Sequence, residues 1–313
     1  MIESLGLTKT FSGRTVVDDV SFRCEPGTVT GFLGPNGAGK TTTLRMICGF
    51  SKPDAGTATV LGGAYRELPN PGRRVGVLLD ASAQHAGRRG REALRISAET
   101  MGVQADRVGQ MLELVDLDRA AAKRRIGAYS LGMRQRLGIA NALLGDPEVL
   151  ILDEPANGLD PEGMRWMRSL LRGFADRGGT VLLSSHLLRE VEAVADQLVI
   201  IGGGKIVARG SREELMAKAG TVVRATDAEA LESALNYAAL KPRADGSGGF
   251  VVAAEPRAVG AAALAGGVVL THLAAAQDAG LEQLFFDLTS GDAENGAGPQ
   301  DQVEASDEVE ANR

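Results

Sequence analysis

Cysteine is scarce in this chain, which has only Cys24 and Cys48 among its 313 residues. Neither cysteine belongs to a C-x-x-C pair or to a cysteine–histidine spacing typical of zinc sites, so no structural zinc is expected. Isolated thiols of this kind are usually reduced and buried in cytoplasmic proteins, and we predict the same here.

Long hydrophobic runs are also lacking. A membrane-spanning helix needs about 20 consecutive apolar residues. The nearest candidate, Ala258 to Leu270, is shorter and rich in alanine and glycine. The N-terminus has neither the basic start nor the apolar core of a signal peptide. We therefore expect a cytoplasmic location, and a membrane-embedded part, if one exists, must come from another chain.

An excess of positive charge is missing as well, since the net charge is -6. This balance disfavours general nucleic-acid binding. Much of the negative charge lies beyond Ser290, where the chain has no aromatic residue. A segment of this composition buries too little apolar surface to offset its ordering entropy, so we predict a disordered acidic tail over residues 290–313. Its acidic residues are Asp292, Glu294, Asp301, Glu304, Asp307, Glu308 and Glu310.

The pattern of apolar and polar residues predicts an α/β protein. Strand-like and helix-like segments alternate over residues 1–218, which is typical of a mostly parallel sheet with helices on its faces. Residues 81–146 are polar, rich in arginine and helical in pattern, and indicate an inserted helical subdomain. A small C-terminal α/β domain is predicted over residues 219–289, with strands at 221–225, 250–254 and 268–272 and helices at 227–240, 256–264 and 280–288.

The most informative motif matches G-x-x-x-x-G-K-[ST], the spacing of a phosphate-binding loop. Its glycines let backbone N–H groups surround phosphate oxygens. Lys40 would lie beside the β- and γ-phosphates, and the Thr41 hydroxyl would bind Mg²⁺. A predicted strand, 29–33, precedes the loop and a predicted helix, 40–48, follows it, as the motif requires. The predicted nucleotide-binding residues are Gly34, Pro35, Asn36, Gly37, Ala38, Gly39, Lys40, Thr41 and Thr42.

Two further apolar runs end in polar side chains. The run Val149 to Leu152 is followed by Asp153, a candidate Mg²⁺ ligand, and by Glu154, which could polarise a water for attack on the γ-phosphate. His186 follows another apolar run and could hydrogen-bond the γ-phosphate or orient that water. Because the carboxyl ends of parallel strands meet at one edge, we expect these side chains near the phosphate loop.

Between these motifs, Ser130 is predicted to cap a helix whose first turn contains Gly132. A capped helix start with glycine in its first turn is a second anion-binding feature.

Together these motifs resemble the nucleotide-binding subunit of an ABC transporter. The resemblance covers residues 2–218 and includes five motifs in the family's order. Tyr129 to Met133 corresponds to the signature sequence, and His186 resembles the switch histidine. Asp160 ends a loop similar to the one that crosses the family's dimer interface. Phe11 falls where the family stacks an aromatic ring on adenine.

The resemblance implies a mechanism. Two such subunits close head to tail as a homodimer around two ATP molecules, each bound with Mg²⁺. Each site combines one subunit's phosphate loop with the other's helix start at Ser130 and Gly132. Closure and hydrolysis then drive a separate integral membrane permease, which implies a peripheral position on the inner face of the cell membrane.

The sequence departs from the family pattern in two places. In the signature, Leu131 replaces a glycine and Met133 replaces a glutamine. In the segment that begins at Val75, Asp80 stands where the family usually has a glutamine that reaches the metal and the attacking water. We predict that Asp80 takes that catalytic and metal-contacting role, although an ionised aspartate cannot donate a hydrogen bond.

The C-terminal domain and the stretch 280–289 resemble exporters of the daunorubicin-resistance type, which implies export of a hydrophobic drug, antibiotic, peptide or lipid. Three alternatives stay open at this point. They are an importer subunit, a soluble ATPase acting on ribosomes or nucleic acid, and a module that binds ATP without turnover. Arg88, Arg89 and Arg91 either face a membrane partner or lipid headgroups, or form an ordinary solvated patch.

Overall fold

The computed structural model describes residues 1–212, 214–215, 220–245 and 248–275. Its largest sheet has six strands, of which five are parallel and the edge strand β9 is antiparallel. In spatial order the strands are β5 (Val75–Leu78), β6 (Val149–Leu152), β7 (Thr180–Ser185), β3 (Val29–Leu33), β8 (Gln197–Gly202) and β9 (Lys205–Gly210). The predicted mostly parallel sheet is confirmed.

A second sheet near the N-terminus is antiparallel and was not anticipated from the sequence. Its order is β2 (Arg14–Cys24), β1 (Ile2–Phe11) and β4 (Ala55–Val60). Strands β1 and β2 form a hairpin whose turn residues, Ser12 and Gly13, have φ values of 48° and 81°. Positive φ at both turn positions matches the twist of the flanking strands. The alternation of strands and helices expected from residue 1 therefore begins only at β3.

The core lies on both faces of the central sheet. In β6, Leu150 and Leu152 belong to one cluster of buried residues, whereas Val149 and Ile151 belong to another. Successive side chains of a strand point to opposite faces, so a four-residue run that is apolar throughout is buried on both sides. The antiparallel sheet covers one face, and the helical subdomain packs toward the other.

The remaining helices surround this sheet. Regular structure within residues 81–146 is entirely helical, as predicted. It comprises α3 (Gly90–Met101), α4 (Asp106–Leu114), α5 (Arg119–Lys123), a 3₁₀ turn (Ile126–Ala128) and α6 (Leu131–Leu143). Elsewhere in this part of the chain lie α1 (Lys40–Ile47), a 3₁₀ turn (Tyr65–Glu67), α2 (Pro71–Arg74), α7 (Pro161–Asp176) and α8 (Leu188–Glu192).

The C-terminal unit has its own sheet and its own cluster of buried residues, which includes Val223, Leu231 and Leu235. The sheet order is β11 (Arg243–Ala244), β12 (Phe250–Val252), β10 (Thr221–Ala225) and β13 (Leu270–Ala275), all antiparallel. Two helices, α9 (Ala228–Tyr237) and α10 (Pro256–Ala265), complete the unit. The predicted helix at 280–288 and the acidic tail at 290–313 lie outside the described residues.

None of the described helices is both long enough and apolar enough to cross a membrane.

Candidate functional site

The phosphate loop connects β3 to α1 at the carboxyl edge of the central sheet. Gly37 and Gly39 have φ values of 83° and 101°, which side chains with a Cβ rarely adopt. A Cβ on Gly34 would lie 2.4 Å from the Ile201 carbonyl oxygen, so the loop has no room there. These glycines are required by the backbone geometry that turns N–H groups toward a bound anion.

Lys40 begins α1 and is almost fully buried, with 6% of its surface exposed. Its Nζ donates to the Gly34 carbonyl at 2.7 Å and to the Pro35 carbonyl at 3.3 Å. The same Nζ lies 3.3 Å from Glu154 Oε1. The ammonium group is therefore held over the loop, where it can reach phosphate oxygens, and it is joined to the predicted catalytic carboxylate.

Asp153 follows β6 and is 8% exposed. Its Oδ2 accepts a hydrogen bond from Thr41 Oγ1 at 2.6 Å, and its Oδ1 accepts one from Ser184 Oγ. Burial raises the pKa of the Asp153 carboxyl above its ordinary value, against the opposing effect of the two hydroxyl donors. Thr41 and Asp153 together provide hydroxyl and carboxylate oxygens of the kind that Mg²⁺ prefers.

Glu154 is held between two strand ends in a left-handed backbone conformation, with φ of 47°. Its Oε2 lies 2.8 Å from His186 Nδ1, and its N–H donates to Ser184 Oγ at 3.0 Å. Its carbonyl accepts a hydrogen bond from Gln135 Nε2 at 3.1 Å. Non-glycine residues in this conformation are uncommon and cluster at functional sites.

Ser184 and Gln135 were given no role from the sequence. Ser184 is fully buried and joins Asp153 to the Glu154 backbone, whereas Gln135 is 3% exposed and fixes the Glu154 carbonyl. A signal existed for Ser184, since it precedes His186 in the same strand run. The only sequence signal for Gln135 was its position as a polar residue on the apolar side of α6. Its role is evident only from the packing, which places its amide against the Glu154 carbonyl.

Ser130 and Gly132 lie at the start of α6. Ser130 Oγ accepts a hydrogen bond from the Met133 N–H at 3.2 Å, which makes it the helix cap. A Cβ on Gly132 would lie 2.6 Å from the Gly158 carbonyl oxygen, so the signature segment packs tightly on the loop that precedes Asp160. Asp160 caps α7 by accepting from the Gly163 N–H at 2.8 Å.

The signature segment and the phosphate loop are not joined within one chain. Among the described residues, no hydrogen bond or ion pair links Ser130 or Gly132 to residues 34–42.

In the described part of the chain, neither Phe11 nor Asp80 forms a hydrogen bond or an ion pair with Lys40, Glu154 or His186. Phe11 ends β1 with 48% of its surface exposed, and Lys9 Nζ lies 5.3 Å from its ring centre. Asp80 is exposed and accepts hydrogen bonds from Ser82 N–H at 2.7 Å and Ser82 Oγ at 2.6 Å. These bonds lower the pKa of the Asp80 carboxyl. The structure therefore places Asp80 in a turn of its own.

The donor set fits a nucleotide bound with Mg²⁺. Within the described part of the chain, no group of three or more histidine, cysteine or carboxylate side chains could enclose a metal ion. Mg²⁺ is commonly held by one or two carboxylates together with substrate phosphates and water, and Thr41 with Asp153 matches that pattern.

The sequence is similar to known transporter subunits. The ABC transporter family model matches residues 17–157. An uncharacterized ABC transporter ATP-binding protein, YhcH of Bacillus subtilis, is 43% identical over 211 residues, covering 66% of this chain and 68% of that protein. The bacitracin transport ATP-binding protein BcrA of Bacillus licheniformis is 41% identical, over 66% of this chain and 68% of its own. Nod factor export ATP-binding protein I of Paraburkholderia xenovorans is 39% identical, over 69% and 72%.

Solved structures agree with the fold. An ATP-binding subunit of an ABC transporter superposes with a TM-score of 0.63 at 26% identity, covering 69% of this chain and 91% of that one. A dimeric bacterial ABC transporter cassette, MJ0796, superposes with a TM-score of 0.60 at 20% identity, covering 67% and 98%. The chain belongs to the ATP-binding subunits of ABC transporters, as its five motifs predict, and its activity is ATP binding and hydrolysis.

Proposed function

We propose that this chain uses ATP hydrolysis to drive export of a hydrophobic compound through a separate membrane permease. The observation that carries the proposal is the bonded cluster in which Lys40, Glu154 and His186 meet at one edge of the parallel sheet, beside the Thr41–Asp153 pair. Relatives named for bacitracin transport and Nod factor export support the direction and the class of cargo.

The residues divide the chemistry among themselves. Backbone N–H groups within residues 36–42 and Lys40 Nζ bind the phosphates and offset negative charge in the transition state. Thr41 and Asp153 would hold Mg²⁺, which would neutralise phosphate charge when bound. Glu154 orients the attacking water as general base, and His186 holds the Glu154 carboxylate in place through the 2.8 Å contact.

The second half of each site is proposed to come from another copy of the chain. The helix start at Ser130 and Gly132 would present N–H groups and the positive end of the α6 dipole to the partner's γ-phosphate. Asp160 would lie in the same interface, since its loop contacts Gly132. The dimeric state described for the cassette MJ0796 supports this arrangement. Phe11 is proposed to stack on adenine, and Asp80 to contact the metal or water.

The first experiment measures ATP hydrolysis by the purified chain and its Glu154→Gln variant. Loss of the general base should lower the rate by about 10²-fold or more, while ATP affinity stays within a few-fold of wild type. Glu162→Gln is the matched control, because Glu162 is an exposed glutamate of the same region. Wild-type chain that never hydrolyses ATP, even with its permease, would contradict the proposal.

A second experiment tests transport. The chain should co-purify from detergent with an integral membrane protein, and inverted membrane vesicles containing both should accumulate a hydrophobic cargo only with ATP and intact Glu154. Accumulation in right-side-out vesicles instead would identify an importer. Retention on ribosomes or DNA, lost with added salt, would favour the soluble alternative.

A further inference from the structure

A strongly basic surface lies on the helical subdomain. We call it the basic patch. Its seven side chains are all exposed: Arg88, Arg89, Arg91, Arg119, Lys123, Arg124 and Arg125. They come from two stretches of sequence, the connection that leads into α3 and the helix α5 with the residues after it.

Backbone pairing brings these two stretches together. Arg89 and Arg125 form an antiparallel bridge. The Ile126 N–H donates to the Arg88 carbonyl at 2.8 Å, and the Gly127 N–H donates to the Ala86 carbonyl at 2.8 Å. The backbones of the two basic stretches are therefore held side by side.

The patch is not neutralised locally. In the part of the chain that the structure describes, none of the seven side chains has an ion pair. The nearest acidic residues in sequence, Glu92 and Asp118, are used as caps. Glu92 accepts the Arg89 N–H and Asp118 accepts the Ala121 N–H. Like charges held together without counter-charges repel one another, so a bound polyanion would stabilise this surface.

The chain itself contains a matching anion. Residues 290–313, which lie outside the described residues, include seven carboxylates and a single basic residue, Arg313. We propose that this acidic segment binds the basic patch of the same molecule. The partner is thus a short acidic peptide, and the contact is electrostatic, with seven carboxylates facing seven cationic side chains.

Chain connectivity favours this occupant over an external anion. From Ala275, where the described part ends, to Asp292 there are 17 residues, which span about 40 Å if the predicted helix at 280–288 forms and the rest is extended. A tethered ligand that can reach its site has an effective concentration in the millimolar range. Nucleic acid or an anionic lipid surface would have to displace the acidic segment, which is tethered to the same molecule.

The test uses the full chain with a fluorescent label on Ser306→Cys. Selective labelling is feasible because the native thiols, Cys24 and Cys48, are buried, and burial raises the pKa of each thiol to about 12. A bound tail should give the fluorophore a high anisotropy in low salt. The anisotropy should fall in about 0.5 M NaCl, where the Debye length drops to a few ångströms.

Charge reversal locates the contact. The patch variant combines Arg88→Glu, Arg91→Glu and Lys123→Glu, and it leaves Arg124 and Arg125 intact because both donate to backbone carbonyls. The control variant reverses three exposed arginines elsewhere, at Arg14, Arg73 and Arg257. The patch variant should show the low anisotropy of the high-salt state, whereas the control should retain the wild-type value.

Three results would overturn the proposal: equal anisotropy in the patch and control variants, no response to salt, or a fall in anisotropy on hundredfold dilution, which would indicate binding between molecules. A fourth comparison uses phosphatidylcholine vesicles containing phosphatidylglycerol. A full-length variant with its seven tail carboxylates changed to amides should bind them more tightly than wild type, and equal binding would contradict an occupied patch. No nucleotide is present, so the outcome is independent of the proposed function.

Discussion

Among the proposed metal and catalytic residues, Asp153 is a buried carboxylate whose ionisation carries an electrostatic cost. It is buried, its pKa is raised by desolvation, and only two hydroxyl groups donate to its carboxylate. A buried carboxylate with a raised pKa destabilises the folded state once it ionises. This cost accompanies the placement of a carboxylate at the end of β6, where we propose that it contacts Mg²⁺.

Asp153→Asn should therefore raise the melting temperature of the nucleotide-free chain in EDTA at pH 7.5, by several degrees. The folded-state pKa lies above the unfolded one, so the wild-type penalty is absent below the unfolded pKa. It grows as pH rises from the unfolded pKa to the folded pKa and is complete above the folded one. The gain in melting temperature should thus increase from pH 4 to pH 8. Asp146→Asn, at an exposed aspartate, is the control. A gain that does not change with pH would contradict this account.

Asp80→Asn tests the other acidic residue that the sequence singled out. If Asp80 contacts the metal or the attacking water, the ATPase rate should fall while nucleotide affinity changes little. Because the Asp80 carboxylate also accepts two hydrogen bonds from Ser82, Ser82→Ala serves as the control for a purely local effect. An unchanged rate in Asp80→Asn would remove Asp80 from the catalytic set.

At the scale of secondary-structure elements, the order of the strands explains why Lys40, Glu154 and His186 meet. Strands β3, β6 and β7 are adjacent in the sheet and parallel, so their carboxyl ends deliver the phosphate loop, Asp153 with Glu154, and His186 to one edge. The start of α6 is placed by a different contact, in which Gly132 packs against the Gly158 carbonyl. This contact joins the signature helix to the loop that leads to α7.

Gly132→Ala should disturb that contact. Alanine normally stabilises a helix relative to glycine by about 0.5–1 kcal/mol, but here its Cβ would lie 2.6 Å from a backbone oxygen. We expect the steric effect to prevail, with a lower melting temperature and an ATPase rate reduced about tenfold or more. Gly109→Ala in α4 is the matched control, because nothing lies within 4 Å of its added Cβ. It should leave the rate unchanged and raise stability slightly. Equal behaviour of the two variants would contradict the argument.

At the scale of the whole molecule, we propose that each chain carries half of two phosphate sites. In the proposed dimer, the start of α6 from one chain meets the phosphate loop of the other. The Glu154→Gln variant should then form a dimer with ATP that light scattering detects, because slow hydrolysis leaves the bridging nucleotide intact.

Ser130→Asp in the Glu154→Gln background should abolish that dimer. Aspartate retains the helix cap but places a negative charge where the partner's γ-phosphate would bind. Ser130→Thr retains a neutral cap and should dimerise with ATP. ATP binding by the monomer should be similar in both variants. A dimer of normal stability in Ser130→Asp would mean that the start of α6 does not contact the nucleotide.

The C-terminal unit has a buried cluster of its own, and the sequence predicted strands β10, β12 and β13 and helices α9 and α10 to within a few residues. The short strand β11 was not predicted, and the predicted helix at 280–288 lies outside the described residues. The boundaries proposed for it, 219–289, remain a prediction, since the described part of the chain stops at Ala275. The N-terminal antiparallel sheet shows the opposite case. Strands β1 and β2 have a clear hairpin turn at Ser12 and Gly13, yet an alternation of strands and helices was expected from residue 1.

The sequence alone determined the family, the central sheet and the chemistry-bearing motifs. Loop glycines, apolar strands and the residues that follow them are local patterns, which can be recognised without knowing how the chain packs. Tertiary structure decided the rest. It brought Ser184 and Gln135 to the Asp153–Glu154 pair, it left Asp80 bonded to Ser82, and it set Gly132 against Gly158. Apart from the local Asp80–Ser82 turn, these contacts join residues far apart in the chain. Their free energy depends on distances and burial that no local pattern encodes.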